Sequence, residues 1–219
     1  MKVLVVGATG GTGRATVAAL VAEGHEVTAL ARSASSLTGP GVCGVDGDAT
    51  DPAVVDRLVA GQDAVVVTLG ISENTVRVRL RGPSRTPMDV RSRGTRLIID
   101  AMRRHGVRRL VMLSSYGVGS TRSLLPLASK IVFALLIAPQ IADTERQAAA
   151  VHTSGLEWVE AQPVYLTDGD DGSRTFASTR GEIRRMRVSR EQVGRFLAQA
   201  VASDEFVGAT VSLSTEAAA

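Results

Sequence analysis

Apolar residues in this chain gather in short unbroken runs separated by stretches with helical spacing. Val3–Val6, Val27–Ala31, Ala64–Leu69, Leu110–Leu113 and Leu156–Ala161 are the clearest runs. Unbroken rather than alternating runs of that length predict strands covered on both faces, the situation of a parallel sheet. Between them, Arg14–Glu23, Pro52–Ala60, Val90–His105, Thr144–His152 and Arg190–Ala202 carry apolar positions at helical spacing. Asp51-Pro52 reads as an N-cap followed by proline at the first helical position. Ser189-Arg190-Glu191-Gln192 reads as a capping box, with Gln192 three residues after Ser189. Strand and helix alternate throughout, which calls for right-handed crossovers and predicts a doubly wound parallel α/β sheet flanked by helices. No repeat or low-complexity linker divides the chain, so residues 1–219 are expected to form a single domain with small C-terminal loops on the substrate side.

Three segments break the alternation: Ile71–Asp89, which contains Val76-Arg77-Val78-Arg79-Leu80-Arg81, then Gly119–Pro139, then Asp168–Thr179. Each follows the carboxyl end of a strand, where an open α/β sheet binds its ligands. Long loops there serve a site more often than they merely connect. The strongest local signal lies earlier. Val3–Val6 leads directly into Gly7-Ala8-Thr9-Gly10-Gly11-Thr12-Gly13-Arg14 and then into helical spacing. Strand, glycine turn and helix in that order let backbone approach a pyrophosphate and aim a helix N-terminus at its charge. Gly7 suits the tight turn, Gly10 the close approach of phosphate, and Gly13 the packing of helix on strand. The expectation is a Rossmann-type dinucleotide-binding site.

Charge and composition remove several alternatives. One cysteine, Cys43, excludes an internal disulfide framework and a thiolate zinc cluster. His25, His105 and His152 show no ligand spacing, and His25 and His105 each adjoin a glycine at a helix end, where a cation suits the dipole. No metal is expected. Ile131–Pro139, the longest apolar stretch, is too short to span a bilayer. A strand follows Met1-Lys2 directly, so no signal peptide is expected and the expected compartment is the cytoplasm. The net charge of +3 is unevenly placed: eleven arginines but only Asp89 and Asp100 lie between Arg77 and Arg109. Such a concentration attracts anionic partners, yet an aromatic content of 3% leaves few stacking platforms, and no nucleic-acid partner is expected. Leu124–Ala138 is apolar enough either to cover a pocket or to form a dimer seam, so monomer and homodimer both stay open.

Cofactor choice is written near the end of the second strand. An NAD site would place an acid there for the ribose hydroxyls. Ala31-Arg32-Ser33 stands in its place, and Arg14 lies just past the glycine turn. Arg32 can pair with a 2′-phosphate, and Ser33 can donate a hydrogen bond to it. NADP is therefore the expected cofactor.

The glycine turn Gly7-Ala8-Thr9-Gly10-Gly11-Thr12-Gly13, with Gly47-Asp48-Ala49-Thr50-Asp51, resembles the atypical short-chain dehydrogenases/reductases. More narrowly, the chain resembles their small NAD(P)H-binding group, which includes flavin and biliverdin-IXβ reductases. Leu113-Ser114-Ser115-Tyr116-Gly117-Val118-Gly119, Leu166-Thr167-Asp168-Gly169 and Val188-Ser189-Arg190-Glu191-Gln192-Val193 extend the likeness over nearly the whole chain. The resemblance implies that Asp48 bonds the adenine amine and that Ala49 lies against the ring, although Asp48 also suits a plain turn beside Gly47. It further implies that Thr68-Leu69-Gly70 passes under the riboses, that Ser114 and Pro163 border the cofactor, and that Ser115 polarises a substrate carbonyl. Paired serines at a strand end can equally satisfy loop backbone groups.

Departures from that pattern narrow the chemistry. The usual members place Tyr-x-x-x-Lys so that the lysine lowers the phenol's pKa for acid–base work. Pro126-Leu127-Ala128-Ser129-Lys130 keeps the lysine and puts proline in the tyrosine's place, while Ser120 stands four residues after Tyr116. Gln162 stands where the family usually has an arginine. Ser115, Tyr116 and Lys130 are the candidate catalytic residues, with Tyr116, Lys130 and Tyr165 expected as pocket walls. The leading expectation is an NADPH-dependent reductase passing hydride to a flavin-like, quinone-like or other conjugated small molecule that needs little proton help. A non-catalytic NAD(P)H sensor that binds a partner, and an epimerase or isomerase that retains its NAD(P), are the alternatives.

Overall fold

A computed structural model of the chain describes residues 1–70, 87–124, 138–169 and 172–216. The strands are β1 (Lys2–Val6), β2 (Glu26–Ala31), β3 (Val42–Asp46), β4 (Ala64–Val67), β5 (Arg109–Leu113), β6 (Glu157–Pro163), β7 (Tyr165–Thr167), β8 (Thr175–Ser178), β9 (Arg187–Ser189) and β10 (Ala209–Thr215). The helices are α1 (Gly11–Ala22), α2 (Pro52–Val59), α3 (Val90–His105), α4 (Ala138–His152) and α5 (Arg190–Ala202), with a 3-10 turn at Gly119–Leu124. The main sheet runs β3-β2-β1-β4-β5-β6-β10-β8, and β7 pairs with β9 beside it. All neighbours from β3 to β10 are parallel. Strand order reverses between β1 and β4, which opens a crevice beyond the carboxyl ends of those strands. This is the Rossmann-type architecture.

The unbroken apolar runs are explained by burial on both faces. Val3, Val5, Val66 and Val111 face Leu197 and Val201 of α5 and Val17 and Leu20 of α1. Leu4, Val65, Val67, Leu110 and Met112 face Ile98 and Met102 of α3 and Val151 of α4. Each such leucine or valine contributes about 1.5–3 kcal/mol of transfer free energy on burial. α1 and α5 pack closely because residue 194 is glycine: a Cβ there would lie 2.6 Å from the Ala15 carbonyl carbon. The two predicted caps are present. Asp51 Oδ1 accepts from Ala53 N at 2.9 Å, and Ser189 Oγ accepts from Gln192 N at 3.1 Å while Gln192 Oε1 accepts from Ser189 N at 2.8 Å.

Several boundaries differ from expectation. α1 starts at Gly11 rather than Arg14, because the end of the glycine turn already has helical geometry. β4 stops at Val67, which frees Thr68–Gly70 to form the crevice wall. α4 starts at Ala138 rather than Thr144. Its early positions Asp143 and Gln147 are buried but polar, so no apolar spacing marks them. β8, which no apolar run marks, joins the edge of the parallel sheet antiparallel to β10. β10 escaped the apolar-run reading because Thr210, Ser212 and Ser214 interrupt it. Two of these are bonded, Thr210 Oγ1 to Glu160 Oε2 at 2.9 Å and Ser214 Oγ to Arg184 N at 3.0 Å. The loop strand Val76–Arg81, Pro126 and Lys130 lie outside the described residues. Among those described, no helix is long and apolar enough to cross a membrane, and no cluster of side chains suits a metal ion.

Candidate functional site

A cleft of about 480 Å³ lies over the carboxyl ends of β2, β1, β4 and β5. Its floor is the glycine turn. Gly7 holds φ at +89°, with Thr68 O 2.8 Å from where its Cβ would stand. Gly10 leaves its Cβ position open apart from Gly7 O at 3.4 Å, so a phosphate can reach the backbone there. Gly13 presses on the turn: a Cβ would strike the Gly7 carbonyl oxygen and lie 3.0 Å from Ala8 Cα. Thr9, Gly11 and Thr12 complete the floor. Unpaired amides at the start of α1 point into this space, and their partial positive charge suits a pyrophosphate.

One end of the cleft is built by β2 and β3. Arg32, Asp48 and Ala49 line it. Asp46 pins the loop that follows Arg32, accepting from Ser35 N at 2.7 Å and from Ser35 Oγ at 2.8 Å. Asp48 serves its turn as well as the cleft: Oδ1 accepts from Thr50 N and Thr50 Oγ1, both at 2.8 Å. The Thr50 amide holds the Asp48 carboxyl below its ordinary value against the opposing effect of burial, and the Thr50 hydroxyl, Arg32 and Arg93 assist. Ser33 stands on the exposed loop beyond the cleft lining. Arg14 is also exposed and outside the lining, with Nε donating to Thr9 O at 3.1 Å. It braces the turn instead.

The other end is built by β4 and β5. Thr68, Leu69, Gly70, Ser114 and Ser115 line it, together with Arg91, which the motif reading did not include. Ser114 Oγ is buried without a hydrogen bond among the described residues. It lies beside the Glu160 carboxylate. Glu160 itself is fully buried, and burial alone would raise its pKa. Hydrogen bonds from His152 at 2.8 Å, Gln162 at 3.0 Å and Thr210 at 2.9 Å outweigh burial and hold it below the usual carboxylate range. Gln162 continues the network to Thr121, whose Oγ1 lies 2.7 Å from Gln162 Oε1, and so fixes the loop after β5.

Both tyrosines stand away from the cleft. Tyr116 is buried in the core, its hydroxyl donating to Gly181 O at 3.0 Å, and burial pushes its pKa up. The expectation that it takes part in the pocket is corrected, because its ring packs in the core and the Gly181 carbonyl holds its hydroxyl there. Tyr165 is 74% exposed and outside the cleft lining. Pro163 is buried, and its carbonyl accepts from Tyr116 N at 2.9 Å rather than facing the cleft. Lys130 lies outside the described residues.

Arg190 closes the third side. Placed at the start of α5, it lies so close to Gly11 that a Cβ there would meet Arg190 Cδ at 2.6 Å. Its Nη1 donates to Asp168 Oδ1, outside the cleft lining. Sequence spacing held no sign of this, because only the docking of α5 on α1 brings the two N-termini together. A guanidinium beside the glycine turn is well placed for a pyrophosphate. Arg190→Gln is expected to weaken NADPH binding roughly tenfold, as loss of a partly exposed charged hydrogen bond does. Asp168→Asn, which removes the competing carboxylate, is expected to hold or raise affinity. Fluorescence titration checks both, and equal affinities for wild type and Arg190→Gln would refute the assignment.

Much of the basic concentration after Arg77 is used internally. Arg103 Nη2 donates to Ser154 O at 2.6 Å, Arg104 pairs with Asp56 at 2.7 Å, Arg108 with Glu157 at 2.9 Å, and Arg109 with Asp204. Arg77, Arg79, Arg81 and Arg85 lie outside the described residues.

Comparison with known proteins agrees with this geometry. The NAD(P)H-binding family model matches residues 7–204. The 2-alkyl-3-oxoalkanoate reductase of Stenotrophomonas maltophilia is 37% identical over 119 residues, which is 54% of this chain and 34% of that protein. The chain thus spans about a third of that relative's length. Among solved structures, ChuY of Escherichia coli, described as an anaerobilin reductase, superposes with a TM-score of 0.78 at 21% identity, covering 100% of this chain and 99% of that one. A short-chain dehydrogenase/reductase of Veillonella parvula in complex with NADP gives 0.79 at 16% identity, covering 97% and 94%. At those identities the two superpositions speak for the fold.

Proposed function

From the membership of this chain in the NAD(P)H-binding family, we propose an NADPH-dependent oxidoreductase that reduces a conjugated small molecule, flavin-like or quinone-like. The observation that carries the reading is the order of groups along the cleft: Arg32 at one end, the glycine turn in the middle, and hydroxyls with Arg91 at the other. A dinucleotide fits this order. The open Cβ position of Gly10 accommodates its phosphates, Arg32 its 2′-phosphate, and Asp48 with Ala49 its adenine. When bound, the nicotinamide supplies a hydride. The protein's part is then to orient the acceptor, exclude water and receive negative charge. Ser115, which lines the cleft just beyond β5, would donate its hydroxyl to the reacting oxygen. Neither tyrosine reaches the cleft, so a phenol acid of the usual short-chain dehydrogenase kind has no candidate among the described residues.

Purified protein is expected to oxidise NADPH at least tenfold more efficiently than NADH in the presence of menadione or riboflavin. Arg32→Ala is expected to lower NADPH affinity about 10–100-fold, the worth of a charge-assisted phosphate contact, and to leave NADH affinity within twofold. Stopped-flow and fluorescence titrations measure these quantities. Equal use of NADH and NADPH by the wild-type protein contradicts the cofactor choice. Tight NADPH binding without turnover of any acceptor selects the sensor reading instead, which the absence of a phenol from the described cleft also suits.

A further inference from the structure

We propose that Arg91 is the electrophile of this site, holding the acceptor oxygen that gains negative charge during reduction. The acceptor class is then a planar conjugated carbonyl compound whose reduced form is an enolate or phenolate. This inference rests on the reductase reading above and adds a residue and a substrate class to it.

Arg91 sits in the first turn of α3 at the end of the cleft formed by β4 and β5. Its position is fixed from two sides. The backbone amide donates to Asp143 Oδ2 at 3.1 Å, and Nη1 donates to Thr144 Oγ1 at 2.6 Å. Nη2 lies 3.3 Å from where a Cβ on Gly70 would stand, so the guanidinium rests close against the backbone that follows β4. Neither Nη2 nor Nε has an acceptor among the described residues.

The nearest carboxylate does not neutralise this cation by contact. Asp143 is occupied as an N-cap in trans for α3, accepting from the Arg91 and Ser92 amides and from Ser92 Oγ at 2.5 Å. Asp89, the residue in the N-cap position itself, makes no side-chain cap bond. A guanidinium with unused donors in the lining of a cleft favours an anionic or strongly polar partner. Burial pushes its pKa down and Asp143 pulls it up, but arginine stays protonated throughout. Arg32 and Asp48 stand at the opposite end of the cleft, so Arg91 belongs to the half where reduction occurs.

The chemistry balances without a protein acid. The acceptor gains hydride from the reduced nicotinamide at its electrophilic atom, as the nicotinamide C–H bond breaks. A π pair moves onto the carbonyl oxygen, to which Arg91 Nη2 donates a hydrogen bond. That oxygen later takes a proton from water. A fixed cation at the developing oxyanion does the work that a phenol donor does in the usual enzymes.

Arg91→Gln, Arg91→Lys and Thr144→Val test this, the last releasing Nη1 while keeping the charge. Three readouts are needed: menadione reduction, NADPH affinity, and calorimetric binding of 4-hydroxycoumarin, a planar enolate, to NADP-saturated protein. Thermal melting confirms that each variant is folded. Arg91→Gln is expected to lower kcat/KM for menadione on the order of 100-fold, mainly through kcat. It should weaken enolate binding at least tenfold and leave NADPH affinity within twofold. Arg91→Lys should restore part of the loss, and Thr144→Val should show a smaller loss of the same pattern. Unchanged enolate affinity in Arg91→Gln overturns the inference, as does a fall in NADPH affinity that matches the fall in turnover, which would make Arg91 a cofactor ligand. If the wild type binds the enolate through Arg91 yet reduces no menadione, the reductase reading fails and the anion site stands.

Discussion

Gly13→Ala is expected to lower the unfolding free energy by about 3 kcal/mol and to abolish NADPH binding in the micromolar range. The methyl group would run into the Gly7 carbonyl oxygen and crowd Ala8 Cα at 3.0 Å. Overpacking usually costs about 1–3 kcal/mol, and this site stands at the upper end because neither partner can retreat. On one side, the turn is wedged against β4, with Thr68 O 2.8 Å from the Cβ position of Gly7. On the other, α1 meets α5 at Ala15 and Gly194 with no spare room. Gly10→Ala makes the informative control. Its Cβ would meet only Gly7 O, at 3.4 Å, so the fold should keep its urea midpoint while the phosphates lose their approach. Urea unfolding with comparison of m-values separates the two effects. Wild-type stability and affinity in Gly13→Ala would remove the turn from its assigned role.

That contrast marks where sequence reasoning reached and where it stopped. Gly7, Gly10 and Gly13 were legible because each answers a local demand: a positive φ, an open backbone, a close helix. The capping pairs at Asp51 and Ser189 were legible for the same reason, since both partners lie within three residues. The half of the site facing the acceptor was not. Arg190 reaches the glycine turn only because α5 docks on α1, and Arg91 reaches Gly70 only because Asp143 of α4 caps α3. Neither approach leaves a spacing in the chain. Tyr116 shows the reverse error. Its place beside Ser114-Ser115 suggested the cleft, but Gly181, sixty-five residues later, supplies the carbonyl that holds its hydroxyl. Buried polar positions hid β10 and the first turns of α4 from a reading based on apolar runs.

Glu160→Ala is expected to destabilise the protein by about 3–5 kcal/mol at pH 7, and the deficit should shrink in acid. Glu160 is the buried carboxylate of a core strand, and it accepts from His152, Gln162 and Thr210 at once. Its removal leaves the Thr210 hydroxyl without its acceptor, leaves the Gln162 amide only the Val118 carbonyl, and opens a cavity, all of them costly changes. The pH dependence follows from the direction of the shift. In the folded state the carboxyl is held below its ordinary value of 4.5, because the hydrogen bonds outweigh burial. Its stabilisation is therefore full above the unfolded-state value, and it is lost as pH falls through the lower folded-state value. Wild type should lose stability more steeply than Glu160→Ala below about pH 4.5, so the two urea midpoints converge there. Glu160→Gln should fall between them at pH 7 and lack that steep part of the acid dependence, since its amide cannot titrate. The same network ties Gln162 to Thr121 and hence orders the loop that follows Ser114 and Ser115. Turnover in Glu160→Gln should consequently fall with little change in NADPH affinity, because the disturbed loop borders the acceptor half of the cleft and not the glycine turn. Parallel slopes for wild type and Glu160→Ala from pH 7 to pH 3 would show that this carboxylate carries no such linkage.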